Sequence, residues 1–227
     1  MPLTDEECYK QLRAAIMQEK FLPNERLIEI DLAQSLGAGR AAIRTALARL
    51  EQEGLVQRER YRGARVRLIS EAEAIQILEA RAALESLAAR YAALNVTHEE
   101  SDTLFMLLAE QRHCIDEGDL LHSSDVNARL HQALLRIAHH DITTRLLEML
   151  KPQNVRFQYR TILVPGRPER SFQEHSAIVE AVTNHDPDKA EEAMRHHLSL
   201  VAEALRKTRE TRQKGEERAG DEYTTGD

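Results

Sequence analysis

Apolar residues recur every three or four positions along most of the chain, which is the spacing of amphipathic helices. Near the start of the chain this pattern predicts three short helices, over residues 5–20, 29–36 and 40–53. Gly37, Ala38 and Gly39 separate the second helix from the third and predict a tight turn. Residues 55–68 are instead rich in β-forming residues on both sides of Gly63, and they predict a two-stranded hairpin.

After residue 70 the apolar pattern continues over longer segments and predicts an antiparallel bundle of six helices. The predicted helices are 71–94, 97–117, 119–139, 141–163 (bent or broken at Pro152), 171–184 and 187–211. Capping-box pairs, which mark helix starts, occur at Ser70 and Glu73, Thr97 and Glu100, and Ser171 and Glu174. The pair Asp186–Pro187 is typical of an N-cap followed by a first helical residue.

These patterns predict a mainly α protein with two domains, over residues 1–70 and 71–212. The remaining segment, residues 213–227, has almost no apolar side chains, so we expect it to be a disordered tail. Apolar runs are far shorter than the roughly 18 residues of a membrane span. The N-terminus shows no signal peptide, and the two cysteines, Cys8 and Cys114, are too few for a disulfide framework. A cytoplasmic protein with reduced thiols is the expectation.

Arginine is concentrated in one stretch of a chain whose formal net charge is −7. Residues 39–68 contain eight arginines and no lysine, against three glutamates. Residues 1–70 as a whole carry a net charge of +2, so the rest of the chain carries −9. A basic surface at one end of an acidic chain indicates a polyanionic partner there, and guanidinium groups bind phosphates and guanine edges bidentately.

A helix, a short glycine turn and a basic second helix form the pattern of a helix-turn-helix, whose second helix enters the DNA major groove. The basic hairpin that follows is typical of a wing. Candidate DNA-binding residues are Arg40, Arg44 and Arg49 on the recognition helix, and Arg62, Gly63 and Arg65 in the wing. The alternative is an exposed charged helix and hairpin without a nucleic-acid partner.

Three histidines occupy apolar faces of three different predicted bundle helices. They are His131, His175 and His197. Imidazoles that converge inside a bundle could bind a divalent transition metal. The alternative is that each is a separate core or surface histidine.

Residues 22–66 resemble the winged helix-turn-helix of GntR-family transcription regulators. The matching features are the arginines at 40 and 44, the segment ALARLEQEGLV of residues 46–56, and the wing Gly63. Residues 72–211 are similar to the FCD ligand-binding domain of the FadR branch, and the six helices are similar to its VanR-like subgroup. The motifs there are EARAALESLAARYAA of residues 79–93, NARLH of 127–131, HSAIVEAV of 175–182 and AMRHHL of 193–198.

This resemblance implies a homodimeric regulator that reads an inverted-repeat operator in double-stranded DNA and senses a small organic acid. It also implies a metal site formed by Asn127, His131, His175 and His197, suited to a zinc-like or nickel-like divalent ion. Asn127 offers that ion a neutral carbonyl oxygen where an aspartate would offer a carboxylate. Candidate residues for binding the carboxylate effector are Arg81, Arg156 and Arg160, and the alternative for them is ion pairing on the surface or within the bundle.

Two other function classes stay open at this stage. A metal-dependent hydrolase would need an open metal position and a general base, but no HExxH motif, nucleophile elbow or phosphate-binding loop occurs in the chain. A ligand-independent architectural DNA-binding protein would show no response to small acids. We expect a regulator rather than an enzyme.

Overall fold

The computed structural model describes residues 2–18, 20–59, 63–162 and 164–224, with side chains for all of these except 59, 151–160 and 208–224. The described chain divides into two compact units with a boundary between Ser70 and Glu71, apart from residues 151–155, which group with the first unit. The prediction of a mainly α protein, with a small sheet near the N-terminus and a helical bundle after it, is confirmed. No helix in the described ranges is long and apolar enough to cross a membrane.

The first unit contains three helices and a three-stranded antiparallel sheet in the order β1-β3-β2. Its elements are α1 (Asp5–Met17), β1 (Arg26–Leu27), α2 (Glu29–Leu36), α3 (Arg40–Gln52), β2 (Val56–Glu59) and β3 (Gly63–Val66). The helices and the β2–β3 hairpin lie where the apolar pattern predicts them. Their shared core includes Leu12, Leu27, Ile43, Leu47 and Leu50.

The turn between α2 and α3 depends on its two glycines. Gly37 ends α2 in the left-handed conformation, with φ of +61°, which a side chain disfavours. Gly39 caps α3 in an extended conformation and provides no side-chain hydrogen bond. The turn therefore joins α2 to α3, which pack against each other, and the first turn of α3 keeps backbone N–H groups that no cap side chain occupies.

Strand β1 is absent from the sequence prediction, because two residues are too few to show an alternating pattern. It pairs with β3, with Arg26 opposite Arg65 and Leu27 opposite Ala64. Gly63 begins β3 with φ of +83°, and a Cβ there would lie 3.2 Å from the carbonyl oxygen of Leu27. Glycine at 63 thus allows both the turn of the hairpin and the close approach of β1.

The second unit contains six helices. They are α4 (Glu71–Asn95), α5 (His98–Asp116), α6 (Leu120–Ala138), α7 (Asp141–Ile162), α8 (Arg167–Thr183) and α9 (Pro187–Thr224). Buried side chains from α4, α5, α6, α8 and α9 form one apolar core, which includes Leu104, Leu130, Leu134, Ile178, Met194 and Leu198. The capping box of Thr97 and Glu100 is present, and Asp186 accepts a hydrogen bond from the Lys189 amide at the start of α9.

The bounds of two helices in this unit differ from the prediction by more than two residues. Helix α8 begins at Arg167, with Gly166 as its N-cap and a proline in its first turn, which suits a helix start. Ser171 therefore lies inside the helix, and the predicted capping box at 171 is wrong. Helix α7, from Asp141 to Ile162, agrees with the predicted range to one residue and continues through Pro152. Helix α9 extends to Thr224, through most of the segment predicted to be disordered.

Candidate metal centre and nucleic-acid interface

Three histidines from α6, α8 and α9 meet inside the second unit. His131, His175 and His197 are all buried, with exposed fractions of 9%, 0% and 3%. One ring nitrogen from each lies within 4.8 Å of the other two, and the Nε2 atoms of His175 and His197 are 3.4 Å apart. The convergence predicted from the apolar faces is therefore present in the structure.

Each imidazole is oriented by a hydrogen bond at its Nδ1 atom. The Nδ1 of His131 lies 2.6 Å from a carboxylate oxygen of Glu85, and that of His197 lies 2.8 Å from one of Glu174. The Nδ1 of His175 lies 2.9 Å from the side-chain oxygen of Gln111. Because a neutral imidazole carries one N–H, donation from Nδ1 leaves the lone pair on Nε2 for a metal.

Two arginines hold the two carboxylates in place. Arg81 donates from Nε to Glu85 at 2.7 Å, and Arg167 forms a bidentate pair with Glu174 at 2.9 and 2.8 Å. Both the Arg167 and Glu174 side chains are buried. Two arginine–glutamate–histidine chains thus support His131 and His197.

The sequence analysis did not identify Gln111, Glu174 or Arg167 as part of the site. The Arg81–Glu85 spacing of four residues on one helix is a local signal of an ion pair. No comparable signal connects Gln111 to His175, since they are 64 residues apart.

Burial and neighbouring charges set the protonation of the centre. Burial lowers the pKa values of His175 and His197 well below the ordinary value, and the neighbouring imidazoles lower them further. Burial alone would raise the pKa of Glu85, but Arg81 and His131 outweigh it and hold that pKa far below its usual value. Burial raises the pKa of Glu174 although Arg167 opposes the shift. His175 and His197 are therefore neutral and able to act as ligands near pH 7.

Asn127 offers a side-chain carbonyl oxygen as a further candidate ligand. It lies one helical turn before His131 on α6, and thus on the same side of the helix. Its Oδ1 atom is buried and accepts no hydrogen bond from any residue that the structure describes. A buried carbonyl oxygen without a partner is unfavourable, and a cation would satisfy it. Three imidazole nitrogens and one carbonyl oxygen fit a divalent transition metal.

The predicted effector residues lie only partly within the described structure. Arg81 is on α4, its Nε is held by Glu85, and its side chain is 21% exposed. Arg156 and Arg160 belong to α7, but their side chains lie outside the described residues. Arg81 is thus joined to His131 through Glu85, which contacts both side chains.

The predicted recognition helix, α3, presents its first turns to solvent. Arg40 is exposed, and the side chain of Arg44, one turn later, is 55% exposed with its Nε 3.3 Å from Glu29. Arg49 differs, because its guanidinium bonds to Glu6 at 2.5 Å and lies 3.8 Å over the ring of Tyr9. Arg40 and Arg44 are therefore available on the surface, while Arg49 contacts α1.

The wing has basic side chains on β3 and on its neighbouring strands. Arg65 donates to the backbone oxygen of Asn24 at 3.2 Å, and Gly63 begins β3. Arg62 lies outside the described residues. Arg26 is exposed on β1 opposite Arg65; the sequence analysis missed it because β1 itself was not predicted.

Comparison with known proteins identifies the domain that contains each of these two sites. The model of the bacterial regulatory proteins of the gntR family matches residues 4–66, and the FCD domain model matches residues 76–200. The chain belongs to the GntR family and carries an FCD domain. The resemblance noted from the sequence motifs is thereby confirmed.

Relatives of this GntR protein span nearly its whole length. The HTH-type transcriptional repressor RspR of Escherichia coli (strain K12) is 29% identical over 206 residues, covering 91% of this chain and 90% of RspR. The repressor GlaR of the same strain is 29% identical over 211 residues, covering 87% and 94% of the two chains. The solved structure of E. coli McbR/YncC shares the fold, with a TM-score of 0.73, 18% identity, and 92% and 99% of the two chains covered.

These comparisons bear on one of the two function classes left open by the sequence. The relatives and matching folds are transcriptional regulators and not enzymes, so the hydrolase alternative is not supported. The chain is a DNA-binding transcriptional regulator. The histidine cluster in its FCD domain is accordingly part of a regulatory domain.

Replacing Arg167 with lysine is expected to lower the free energy of unfolding by about 1.5–3 kcal/mol. Lysine keeps the positive charge but cannot reproduce the planar bidentate pair with Glu174, and a hydrogen bond to a charged group is worth about this amount. Chemical denaturation measures the change. The control Arg170→Lys, at an exposed position one turn later, should leave stability unchanged. Equal stability of both variants would show that the Arg167–Glu174 pair does not stabilise α8.

Proposed function

We propose that this GntR regulator binds a divalent metal ion through Asn127, His131, His175 and His197 and uses it to sense a small organic acid. One observation carries the proposal: three imidazoles, each held at Nδ1 by an acceptor, bring one ring nitrogen each within 4.8 Å of the other two. Outer hydrogen bonds of this kind orient histidine ligands in metal sites. The unpartnered oxygen of Asn127 supports the same assignment.

An acid effector suits a centre with neutral protein ligands. A divalent ion that accepts more than four ligands can bind a carboxylate oxygen beside the protein groups, and this is the chemistry the metal would supply. Arg81 is partly exposed and is joined to His131 through Glu85. Its guanidinium can pair with a second anionic group of the acid. Arg156 and Arg160 remain further candidates for that role.

Residues 1–70 would supply operator binding, and residues 71–212 would supply sensing and dimerisation. In this proposal α3 lies in the major groove with Arg40 and Arg44 toward the bases, and Arg62, Gly63 and Arg65 lie in a wing that contacts the DNA backbone. The protein would act in the cytoplasm as a homodimer. A twofold dimer matches an inverted-repeat operator, because each DNA-binding unit then meets the same half-site.

In this proposal, binding of the acid to the FCD domain is thermodynamically linked to binding of the operator by the N-terminal domain. If the acid binds the operator-bound and free forms with different affinities, it changes operator affinity by the same free energy. An architectural protein without a sensor would show no such dependence. The response of DNA binding to small acids therefore separates these two functions.

A thermal-shift screen of organic acids, run on zinc-loaded and on metal-free protein, tests the proposal. We expect at least one acid to raise the melting temperature of the zinc-loaded protein, because a ligand that binds only the folded state stabilises it. The same acid should change the affinity of the protein for its operator. It should have little effect after zinc is removed by a chelator and dialysis. Acid responses of equal size with and without metal would refute the metal-anchored sensor.

A further inference from the structure

Helices α2 and α3 are joined by an ion pair across the turn between them. The Nε atom of Arg44 on α3 lies 3.3 Å from a carboxylate oxygen of Glu29 on α2. The side chain of Glu29 is 20% exposed, whereas that of Arg44 is 55% exposed. The carboxylate is therefore the more buried member of the pair, and the arginine is the member that faces solvent.

This pair distinguishes Arg44 from the other exposed arginine at the start of α3. Arg40 is exposed and forms no ion pair with any residue that the structure describes. An exposed ion pair adds little to the stability of a fold, and a carboxylate beside DNA repels the phosphates. Neither stability nor general attraction to DNA thus accounts for a carboxylate at position 29, whereas control of the guanidinium does.

The contact occupies one side of the guanidinium and leaves its end open. Arginine has five N–H donors, one on Nε and four on the two terminal nitrogens. Glu29 accepts from Nε, and the terminal nitrogens of Arg44 donate to no residue in the described part of the chain. Two terminal donors match the O6 and N7 acceptors of guanine in the major groove. They also match two oxygens of a phosphate, but the charge of Glu29 repels a phosphate and not a neutral base edge.

We infer that Glu29 is a positioning residue for DNA recognition, which orients Arg44 toward a guanine and weakens the attraction of Arg44 for phosphates. Glu29 thereby raises the ratio of specific to non-specific binding, although it lowers the positive charge of the DNA-binding unit. The inference rests on the proposed placement of α3 in the major groove, and it specifies how Arg44 selects its ligand there.

The variant Glu29→Ala tests this role in the full-length protein. Fluorescence anisotropy gives its affinity for an operator fragment, selected by the unaltered protein from random DNA, and for a scrambled fragment of the same composition. We expect the affinity for scrambled DNA to rise and its salt slope to steepen by up to about 1, because Arg44 is then free to bind phosphate. The ratio of the two affinities should fall by about fivefold or more, the lower end of the discrimination given by one arginine–guanine pair.

Selection from random DNA shows where the specificity is lost. Arg44→Ala should lose the preference for guanine at the operator position that Arg44 contacts, and Glu29→Ala should lose it at the same position and at no other. In the Arg44→Ala background, Glu29→Ala should have no further effect on base preference, because the two residues act as one unit. A distorted domain would instead bind both fragments more weakly and would change the preference at several positions.

Asp31→Asn is the matched control. Asp31 also lies in the first turn of α2 and is exposed, but it forms no ion pair with any residue that the structure describes. This variant removes the same charge and should keep both the affinity ratio and the guanine preference. Glu29→Gln retains an acceptor for Nε without the charge, so it should keep the guanine preference while it binds scrambled DNA more tightly. Circular dichroism checks that each variant is folded.

The outcomes separate this inference from the proposed function. An unchanged affinity ratio and guanine preference in Glu29→Ala would overturn the role of Glu29 while leaving α3 as the recognition helix. An equal loss in Asp31→Asn would overturn it as well, because the charge of α2 as a whole would then be the cause. A loss of guanine preference in Glu29→Gln as large as in Glu29→Ala would overturn the orienting hydrogen bond. If Arg44→Ala kept every base preference, the placement of α3 in the major groove would fail, and the inference with it.

Discussion

Loss of sequence-specific DNA binding is the expected result of replacing Arg40 and Arg44 together with alanine. The two residues are one turn apart at the start of α3, and both are exposed. Each guanidinium that reaches a base edge should contribute about 1–3 kcal/mol, so the double variant should lose about 2–6 kcal/mol of binding free energy. Fluorescence anisotropy with an operator fragment, selected by the unaltered protein from random DNA, measures this loss at several salt concentrations.

Lys10→Ala is the control for a general effect of charge. Lys10 is an exposed residue of α1 in the same unit, and its side chain is 70% exposed. This variant should retain specific operator binding. The Arg40/Arg44 variant should keep its thermal stability, since neither side chain lies in the core. Unchanged operator affinity and an unchanged salt slope in the double variant would show that α3 is not the recognition helix.

Replacing His131 and His175 together with alanine is expected to eliminate metal binding. The change removes two of three converging imidazoles, and the loss in affinity should exceed the roughly 10–100-fold that follows from altering an outer-shell partner. The increase in melting temperature on adding zinc or nickel should also disappear, because it depends on binding to the folded state. Elemental analysis of protein purified without a histidine tag or chelator measures the metal content.

His196→Ala serves as the matched control for the metal prediction. His196 precedes His197 on α9 but is exposed, and its loss removes an imidazole without touching the cluster. Its metal content should equal that of the unaltered protein. Negligible metal in the unaltered protein and in both variants, combined with an unchanged acid response, would leave a sensor pocket that works without metal.

The helices of both units could be predicted from the sequence because helix formation depends on local spacing. The apolar positions of α3 and the glycines at 37 and 39 predicted the helix-turn-helix. The same periodicity placed His131, His175 and His197 on apolar faces, and all three are buried. Motifs of this kind involve neighbours on one helix, so they can be read without knowing which helices pack together.

Predictions failed where an element was too short to show a pattern, where its partner was far away in the sequence, or where two local signals disagreed. Strand β1 has two residues, and its existence depends on pairing with β3 about 40 residues later. Helix α8 begins at Arg167 because Gly166 and the following proline favour a start there, although a second sequence signal occurred at Ser171. Both positions have residues that favour a helix start, and the folded structure begins the helix at the earlier one.

The chemistry of the histidine cluster was decided by tertiary structure. The amino-acid sequence determined that three imidazoles lie on apolar faces and that Asn127 lies one turn before His131. Only folding brought Glu85, Gln111 and Glu174 to the Nδ1 atoms of histidines that are 46, 64 and 23 residues away in the chain. A hydrogen bond needs its two atoms within about 3 Å, and helix periodicity carries no information about which helices approach so closely. The partners that orient the three rings, and hence the direction of their lone pairs, therefore follow from packing alone.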